Sequence, residues 1–508
     1  MKYKIILLCG VLFCTVSCNN FLDEMPTGTM TADSELKSNE SALALTNNVY
    51  RNARVTNRMI SGWGSGTMLL PEYMTGKCSS ENSQSDFKDF QDLTVSSRTA
   101  YLADWWQYCY EGIADCNLAL KMLPDFPSLS EALLSRYVGE ARFMRAMYYF
   151  YLVRLFGDVP KITTIQTELS ELMVTRSPIK EIYDEIIIPD LLAAEQSQIP
   201  ATERTGRASQ YAVKTLLADV YLTYAGYPIQ GGTQYYAASA SRSLEVINSN
   251  AYSLFSEYES LWSAANNNTG EFIFQIQHAI NLGDAFNNNV PCIVLPTRSG
   301  MSAFNLEFGS LIPTEEFVNS YPDGDKRTEE KQFFFRTYKG HPNKFSTGAP
   351  ELDFMDFKGY YIHKFFDKSA IDVAGQSGLN WTIYRYADVL LLYAEAQVNA
   401  DGSANQTSLD AVNQIRGRAE LAAFANTGKD AFLKEVWDQR YFELCYENKM
   451  WFDMLRTRLI RDDATGNYVS FLGYTTKWGK TYTETQLLFP LPLGEMQANS
   501  NLVQNPGY

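Results

Sequence analysis

The stretch that decides the fold is GEARFMRAMYYFYLVRLFGDVP, residues 139–160. In and just before it, apolar residues recur at steps of three and four, the spacing of one buried face of an α-helix. They are Tyr137, Ala141, Met144, Tyr148, Tyr151 and Leu155. Gly157 and Pro160 predict the end of this helix, because glycine suits the position after a last turn and proline cannot continue the hydrogen-bond ladder. A helix this apolar must pack against other helices.

Further segments with the same periodicity predict such partners. They are Ser34–Arg54, Thr99–Leu123, Ile179–Ala194 with an interruption near Pro189, Arg207–Tyr224, Tyr235–Ile247, Arg385–Asn399, Ser408–Arg418, Lys429–Tyr446 and Lys449–Leu459. Several follow one another as pairs joined by short turns, which is typical of an α-solenoid, although a strict repeat of about 34 residues is not present.

Two long stretches, Met59–Val95 and Asn250–Trp381, lose this periodicity and contain many glycines, prolines and polar residues. We interpret the first as irregular loop and the second as loops with short strands and short helices. Loops of this length in a compact protein usually carry function. The predicted fold class is therefore mostly α: a single large α-rich body with helix pairs plus an irregular, loop-rich region with short strands.

The N-terminus has the pattern of a lipoprotein signal peptide. Lys2 and Lys4 precede an apolar run, residues 5–16, which is too short to span a bilayer as a helix. We expect residues 1–17 to be removed and Cys18 to carry the lipid that anchors the protein to a membrane. Residues 18–33 are polar and predict a flexible tether. The alternative is an ordinary cleaved signal peptide with an incidental cysteine.

The chain is acidic, with a formal charge of −15 over 508 residues. Removal of Lys2 and Lys4 with the signal peptide makes this −17. Such a charge repels nucleic acid, so we predict no nucleic-acid partner. Five cysteines remain beyond Cys18, and their odd number and wide spacing favour buried free thiols. They are Cys78, Cys109, Cys116, Cys292 and Cys445.

Five short motifs together resemble one family. The helix RYADVLLLYAEA at residues 385–396, the segment NQIRGRA at 413–419 and the turn YPDGDKR at 321–327 are similar to motifs of the SusD/RagB family, outer-membrane nutrient-binding lipoproteins of Bacteroidetes. The tail segments FPLP at 489–492 and QNPGY at 504–508 resemble the end of that family. The likeness extends over the whole mature chain.

The resemblance implies an α-rich body with tetratricopeptide-like helix pairs on one side. It implies an N-terminal helical region, residues 34–250, and a C-terminal SusD/RagB region, residues 251–508, packed together as one body. Family members dock through the helix pairs on a SusC-like TonB-dependent outer-membrane transporter and bind ligand with the irregular part. We therefore expect a lipid-anchored protein of the outer membrane, exposed at the cell surface.

Catalytic and metal-binding motifs are absent from the sequence. The three histidines, His278, His341 and His363, are not at metal-ligand spacing, and no nucleophile elbow or phosphate-binding loop occurs. Carboxylate pairs such as Glu315–Glu316 and Asp353/Asp356 could suit a glycosidase. With 58 acidic residues, such pairs arise by chance. We predict no catalytic residues, no metal and no cofactor.

Binding chemistry fits the irregular stretches better. A sugar is bound by an aromatic ring under its C–H face and by amides, carboxylates or arginines around its hydroxyls. The candidate ligand-binding residues are Trp63, Tyr73, Asn82, Asp86, Phe286, Arg298, Phe304 and Phe308. Each aromatic among them could instead belong to the core.

The family resemblance, together with this binding chemistry, implies a non-catalytic surface protein that binds oligosaccharide or polysaccharide and delivers it to the transporter. The alternative is binding of a peptide or another nutrient by the same architecture. A glycoside hydrolase is a more distant alternative.

Overall fold

The structure is a computed structural model. It describes residues 38–57, 69–81, 85–168, 171, 173–280, 282, 287–301, 307–338, 355–368, 370–371, 377–425 and 428–508. The predicted signal peptide, Cys18 and the tether lie outside these ranges. Within them, no helix has the length and apolar character needed to cross a membrane.

The described chain is rich in helix, and the predicted mostly helical fold class is confirmed. Its α-helices are α1 (Asn39–Asn48), α2 (Leu69–Tyr73), α3 (Ser85–Gln91), α4 (Ala100–Met122), α5 (Glu131–Phe156), α6 (Ile179–Ile182), α7 (Ile188–Glu195), α8 (Gln210–Ala225), α9 (Thr233–Asn248), α10 (Val290–Ile293), α11 (Glu315–Asn319), α12 (Tyr386–Asp401), α13 (Gln406–Arg418), α14 (Lys429–Glu443), α15 (Met450–Thr457) and α16 (Leu493–Ala498). Short 3-10 helices include Arg51–Asn57, Tyr258–Trp262, Lys326–Thr328 and Glu484–Leu487.

Helix α5 contains the stretch that predicted the fold. It begins where the Ser130 hydroxyl accepts a hydrogen bond from the Leu133 N–H, and it ends at Gly157, whose φ is +74°. Its side chains from Ala141 to Phe156 are almost all buried. Because burying one large apolar side chain contributes about 1.5–3 kcal/mol, this helix is a main source of stability.

Helices pack as neighbouring pairs around α5. Helix α4 lies against α5, α8 against α9, and α12 against both α9 and α13. A continuous set of buried apolar side chains extends from Ala42 in α1 to Leu502 in the C-terminal tail. The described cysteines, Cys78 to Cys445, are buried in this interior and free, as their spacing indicates.

One loop prediction needs correction. The stretch Met59–Val95, predicted as irregular loop, contains α2 and α3, which are too short to show a helical period. The segment Ile179–Ala194, predicted as a helix interrupted near Pro189, is interrupted by a π-helical turn, Tyr183–Ile187. Pro189 has no N–H to donate to the helix. In the π turn, the N–H of the preceding residue, Ile188, donates to the Tyr183 carbonyl, five positions back.

The strands are short and form separate two-stranded antiparallel sheets. They are β1 (Cys78–Ser79), β2 (Val159–Pro160), β3 (Arg176–Ser177), β4 (Phe272–Ile276), β5 (Ile312–Pro313), β6 (Phe334–Tyr338), β7 (Met355–Ile362), β8 (Trp381–Arg385), β9 (Leu459–Arg461) and β10 (Tyr468–Ser470). The pairs are β1–β5, β2–β3, β4–β8, β6–β7 and β9–β10. The β1–β5 pair joins the two irregular stretches of the sequence, which are far apart along the chain.

Candidate functional site

Charged side chains from distant motifs meet in one buried ionic cluster beneath the second irregular stretch. Its members are Glu271, Asp325, Arg327, Lys364, Arg385, Arg418, Glu443 and Glu447, and none of them is more than 8% exposed. Four positive and four negative groups therefore balance one another in the interior. This balance allows a charged cluster to exist where a single buried charge would be very costly.

Arg385, the first residue of the RYADV motif, is central to this ionic cluster. Its Nη1 lies 2.7 Å from Glu271 Oε1 and 2.8 Å from Glu443 Oε1, and its Nε lies 2.8 Å from Glu447 Oε2. Arg418 Nη2 is 2.7 Å from the same Glu443 oxygen. Burial opposes ionisation of Glu443, but Arg418 and Arg385 outweigh it and hold its pKa well below the usual range.

The ionic cluster explains why the motifs at residues 321–327, 385–396 and 413–419 occur together. Asp325 and Arg327 pair with each other, at 2.6 Å, and Arg327 also reaches Glu443. Lys364, just after β7, is 2.5 Å from Glu447. The strands and loops of the second irregular stretch are thereby held against helices α13 and α14. The cluster positions a surface and does not itself face a ligand.

That surface is organised at Glu81, immediately after β1. The Glu81 N–H donates to the Gly309 carbonyl at 2.9 Å, and its Oε2 accepts from the Thr297 N–H at 2.8 Å. The Tyr361 hydroxyl donates to Glu81 Oε1. Burial and the Glu81 charge both raise the pKa of Tyr361, so this hydroxyl keeps its proton. We call Glu81, Thr297, Gly309 and Tyr361 the Glu81 junction.

Gly309 is required at this junction. Its φ is +52°, and a Cβ there would lie 2.3 Å from Glu81 Oε2. A larger residue would strain the backbone and displace the carboxylate. The first and second irregular stretches are therefore closely packed where Glu81 contacts Gly309.

Two candidate residues from the sequence lie beside this junction. Arg298, next to Thr297, is exposed and has a φ of +54°. Phe308, next to Gly309, is half-buried with its ring packed partly on the core. Tyr73 lies elsewhere: it is only 1% exposed, and its ring is 5.4 Å from that of Phe87. Tyr73 is a core residue in this structure and has no surface to offer a ligand.

The other candidates lie outside the described residues or side chains. Trp63, Asn82, Phe286 and Phe304 fall in segments that the structure does not describe. Asp86 lies in α3, but its side chain is not described. For these five residues a ligand contact stays a prediction from the sequence.

Sequence reasoning missed an aromatic cluster at the Glu81 junction. Leu295, Met301, Phe335, Tyr338, Tyr361 and Ile371 form a small apolar group apart from the main core. Half-buried Phe357 and Phe366 cover it, with the Phe357 ring 5.3 Å from that of Tyr361. His363 stacks on Phe366 at 4.5 Å, and burial lowers its pKa to about 4, so it is neutral at pH 7. The available signal was the density of aromatic residues in DFKGYYIHKFF, residues 356–366.

Comparisons with known proteins agree with this architecture. Residues 270–508 match the model of a family described as the SusD family, and residues 20–222 match one described as starch-binding and associating with the outer membrane. A crystal structure of a SusD superfamily protein from Parabacteroides distasonis is 65% identical, covers 94% of this chain and all of its own, and superposes with a TM-score of 0.90. The chain belongs to the SusD superfamily. The suggested family resemblance is thus confirmed.

Other SusD superfamily members are more distant. SusD-like protein P2 of Formosa agariphila is 26% identical over the full length of both chains. The starch-binding protein SusD of Bacteroides thetaiotaomicron is 22% identical over 75% of this chain and 74% of its own. The structure of surface glycan-binding protein A from Bacteroides fluxus is 22% identical, covers 93% of this chain and all of its own, and has a TM-score of 0.72. At that identity the structural likeness shows the shared fold.

Carboxylates that could suggest hydrolysis are placed as ordinary surface groups in this SusD superfamily chain. Glu315 and Glu316 begin α11, and Glu316 pairs with Lys477 at 2.7 Å. Asp356 pairs with Lys358 at 2.8 Å, and Asp353 lies outside the described residues. Across the described ranges, no group of His, Cys, Asp and Glu side chains could hold a metal ion. Aromatic rings with polar groups at their rim are suited to holding a sugar.

Proposed function

We propose that this SusD superfamily protein binds an oligosaccharide or polysaccharide at the cell surface without cleaving it, and delivers it to a SusC-like TonB-dependent outer-membrane transporter. The observation that carries this proposal is the Glu81 junction. It brings both irregular stretches to one surface, where exposed Arg298 and half-buried Phe308 lie beside an aromatic cluster. The names of the starch-binding and glycan-binding relatives support a carbohydrate ligand.

The chemistry of the junction suits a neutral sugar. Phe308 and Phe357 are half-buried, so each ring can present an apolar face while the protein holds it in place. The Arg298 guanidinium can donate to ring hydroxyls. Two stacking contacts contribute ~0.5–1.5 kcal/mol each beyond the apolar area that they bury, and a few hydrogen bonds contribute ~1 kcal/mol each. Together with that buried area, they imply a Kd on the order of 10⁻⁴ to 10⁻⁶ M.

Arg298→Ala should weaken glycan binding by about tenfold or more, because a hydrogen bond from a charged donor is worth ~1.5–3 kcal/mol. The side chain is exposed, so the melting temperature should stay close to that of the wild type. The wild type is first tested for retention of each member of a polysaccharide panel. Calorimetric titration with a polysaccharide that it retains then gives the Kd of the wild type and that of the variant. Arg98→Ala, an exposed arginine outside the junction, is the matched control.

Equal affinity of Arg298→Ala and the wild type would remove the junction from the binding site. The same panel separates the alternatives for the whole protein. Retention of a polysaccharide at unchanged chain length supports the proposal, whereas shortening of the chain would favour a hydrolase. Retention of peptides alone would favour the alternative nutrient.

Membrane association should depend on Cys18. Cells producing the wild type should hold it in the outer-membrane fraction, where mild detergent extracts it together with a β-barrel partner. Cys18→Ala should be released as a soluble protein, because acyl chains are the anchor that we propose. A variant that still sediments with membrane after carbonate washing contradicts the lipid anchor.

A wild type that always purifies alone contradicts the transporter complex, whose interface should bury more than ~2,000 Å².

A further inference from the structure

A cleft of about 560 Å³ lies outside both irregular stretches. Its walls are the end of α5, the α8–α9 loop, α15 and the C-terminal tail, and its lining includes Arg154, Arg176, Tyr227, Phe452, Arg458 and Asn505. The volume is in the range of small-molecule sites. The cleft is independent of the Glu81 junction, with which it shares no residue.

Three arginines at this cleft lack a carboxylate partner. Among the described residues, Arg154, Arg176 and Arg458 form no salt bridge, whereas neighbouring Arg456 pairs with both Glu395 and Asp453.

Aromatic rings and backbone carbonyls hold these arginines in place. The Arg154 guanidinium lies 3.6 Å from the Phe150 ring centre and 4.0 Å from that of Phe452. Arg458 Nη1 donates to the Leu455 carbonyl at 2.8 Å, and its guanidinium is 5.1 Å from the Tyr227 ring.

Arg176 joins the C-terminal tail to the end of α5 by donating to neutral oxygens. Its Nε and Nη2 donate to the carbonyls of Asp158 and Phe156, its Nη1 to that of Val503, and its Nη2 also to the Asn505 side chain. All three positive charges are therefore fixed in position without being neutralised by a paired carboxylate.

The acids that line the cleft are fewer than its three arginines without a carboxylate partner. Asp158 and Glu484 line it, but Asp158 Oδ1 accepts from the Ile179 N–H at 2.7 Å. Burial lowers the pKa of Arg176 and of Arg458, and the nearby Asp158 and Tyr227 offset this only in part. A bound anion would supply the missing compensation.

Arg458 also has an unusual backbone. It ends α15 in the left-handed region, with φ +59° and ψ +25°, where glycine is the favoured residue. This conformation places Arg458 at the wall of the cleft, directly after the last turn of α15.

We infer that this cleft binds a sugar acid, a mono- or disaccharide that carries a carboxylate. Tyr227 is 41% exposed and can lie under the C–H face of the sugar, while the Arg458 and Arg154 guanidiniums receive the carboxylate. Thr485, which also lines the cleft, can supply a hydroxyl group for the remaining hydroxyl groups of the sugar. The site is additional to the proposed glycan surface and does not rest on it.

Calorimetric titration of the mature full chain with glucuronate tests this inference. We expect a Kd on the order of 10⁻³ M, and binding of glucose weaker by about tenfold or more. Arg458→Gln should lower the glucuronate affinity by about tenfold, because it removes a charge-assisted contact. Arg98→Gln makes the same charge change on an exposed residue away from the cleft and should leave the affinity unchanged.

A second variant tests the site if Arg458→Gln has a much lower melting temperature than the wild type. Tyr227→Leu retains an apolar side chain but removes the ring, and it should also weaken glucuronate binding. Unchanged glucuronate affinity in the folded variants, or no binding by the wild type, would overturn the assignment. So would equal binding of sulfate or of a short glutamate peptide, because the cleft would then recognise charge alone.

Discussion

Replacing Arg385 with methionine should lower the free energy of unfolding by about 3–5 kcal/mol, since removal of one partner leaves buried charges uncompensated. Methionine fills much of the same space but cannot donate a hydrogen bond. The Arg385 guanidinium lies within 2.9 Å of a carboxylate oxygen of Glu271, Glu443 and Glu447. Each of these acids would lose that partner. Four acids would then face three basic groups in the interior, all at most 8% exposed.

Urea unfolding followed by tryptophan fluorescence measures this loss. Arg242→Met is the matched control, because Arg242 pairs with Glu195 and Glu245 at a surface where its side chain is 26% exposed. Partly exposed ion pairs of this kind contribute about 0.2–1 kcal/mol. A loss at Arg385 no larger than that of the control would show that the ionic cluster does not stabilise the fold.

Glu72→Gln should change how stability depends on pH. Glu72 is 1% exposed, and its Oε1 accepts from the Asn448 N–H at 2.6 Å. Burial raises the pKa of Glu72 to about 7. The hydrogen bond from Asn448 and the charge of Lys364 lower the pKa and offset this rise only in part, whereas the charge of Glu447 adds to it. The folded protein therefore holds this proton more tightly than the unfolded chain, whose value is near 4.5.

The sign of the effect follows from this difference. The stabilising contribution of protonated Glu72 is fully present below pH 4.5 and is lost as pH rises through 7. Since one pKa unit corresponds to about 1.4 kcal/mol, the loss is roughly 3 kcal/mol. Glutamine stays neutral throughout, so Glu72→Gln should gain roughly 3 kcal/mol relative to the wild type between pH 4.5 and pH 8.

Unfolding curves at pH 5, 6.5 and 8 measure this gain. The range stays above pH 4.5 because the lowered pKa values of Glu443 and Glu447 make their contributions fall in more acidic solution. Glu316→Gln removes an exposed carboxylate that pairs with Lys477 and should show no gain at pH 8. If the free energy of unfolding changes with pH in the same way for Glu72→Gln and the wild type, the pKa of Glu72 in the folded protein is near its value in the unfolded chain, which contradicts the prediction.

The helices could be predicted from the sequence because their apolar spacing repeats over several turns. The segment Thr99–Leu123 is observed as Ala100–Met122, and Tyr235–Ile247 as Thr233–Asn248. The second of these helices begins directly after Gly232, whose φ is +78°. Helices of five to seven residues, such as α2 and α3, have too few turns for a period to appear.

The candidate site could be predicted only as two regions of the chain. Strands of two residues carry no alternation, so nothing local indicates that Cys78 faces Pro313. The role of Glu81 depends on that pairing. Arg298 and Phe308 are predicted as ligand contacts because their residue types suit a sugar. Tyr361 lies in an aromatic-rich segment whose sequence is equally typical of core, so nothing local indicates its contact with Glu81. The partners of Arg385 were unpredictable for the same reason, since buried and exposed charges look alike in a sequence.

The ionic cluster also constrains the order in which the chain can fold. Glu271 and Arg418, which it joins, are separated by 147 positions. Closing a loop of that length costs entropy before any contact forms, and such non-local topology slows folding. A nascent chain that ends before Glu443 would carry all four basic groups of the ionic cluster but only two of its acids, Glu271 and Asp325. The excess positive charge favours water over the interior. The C-terminal half should therefore remain open until its last long helix has been made, and then close in a single cooperative step.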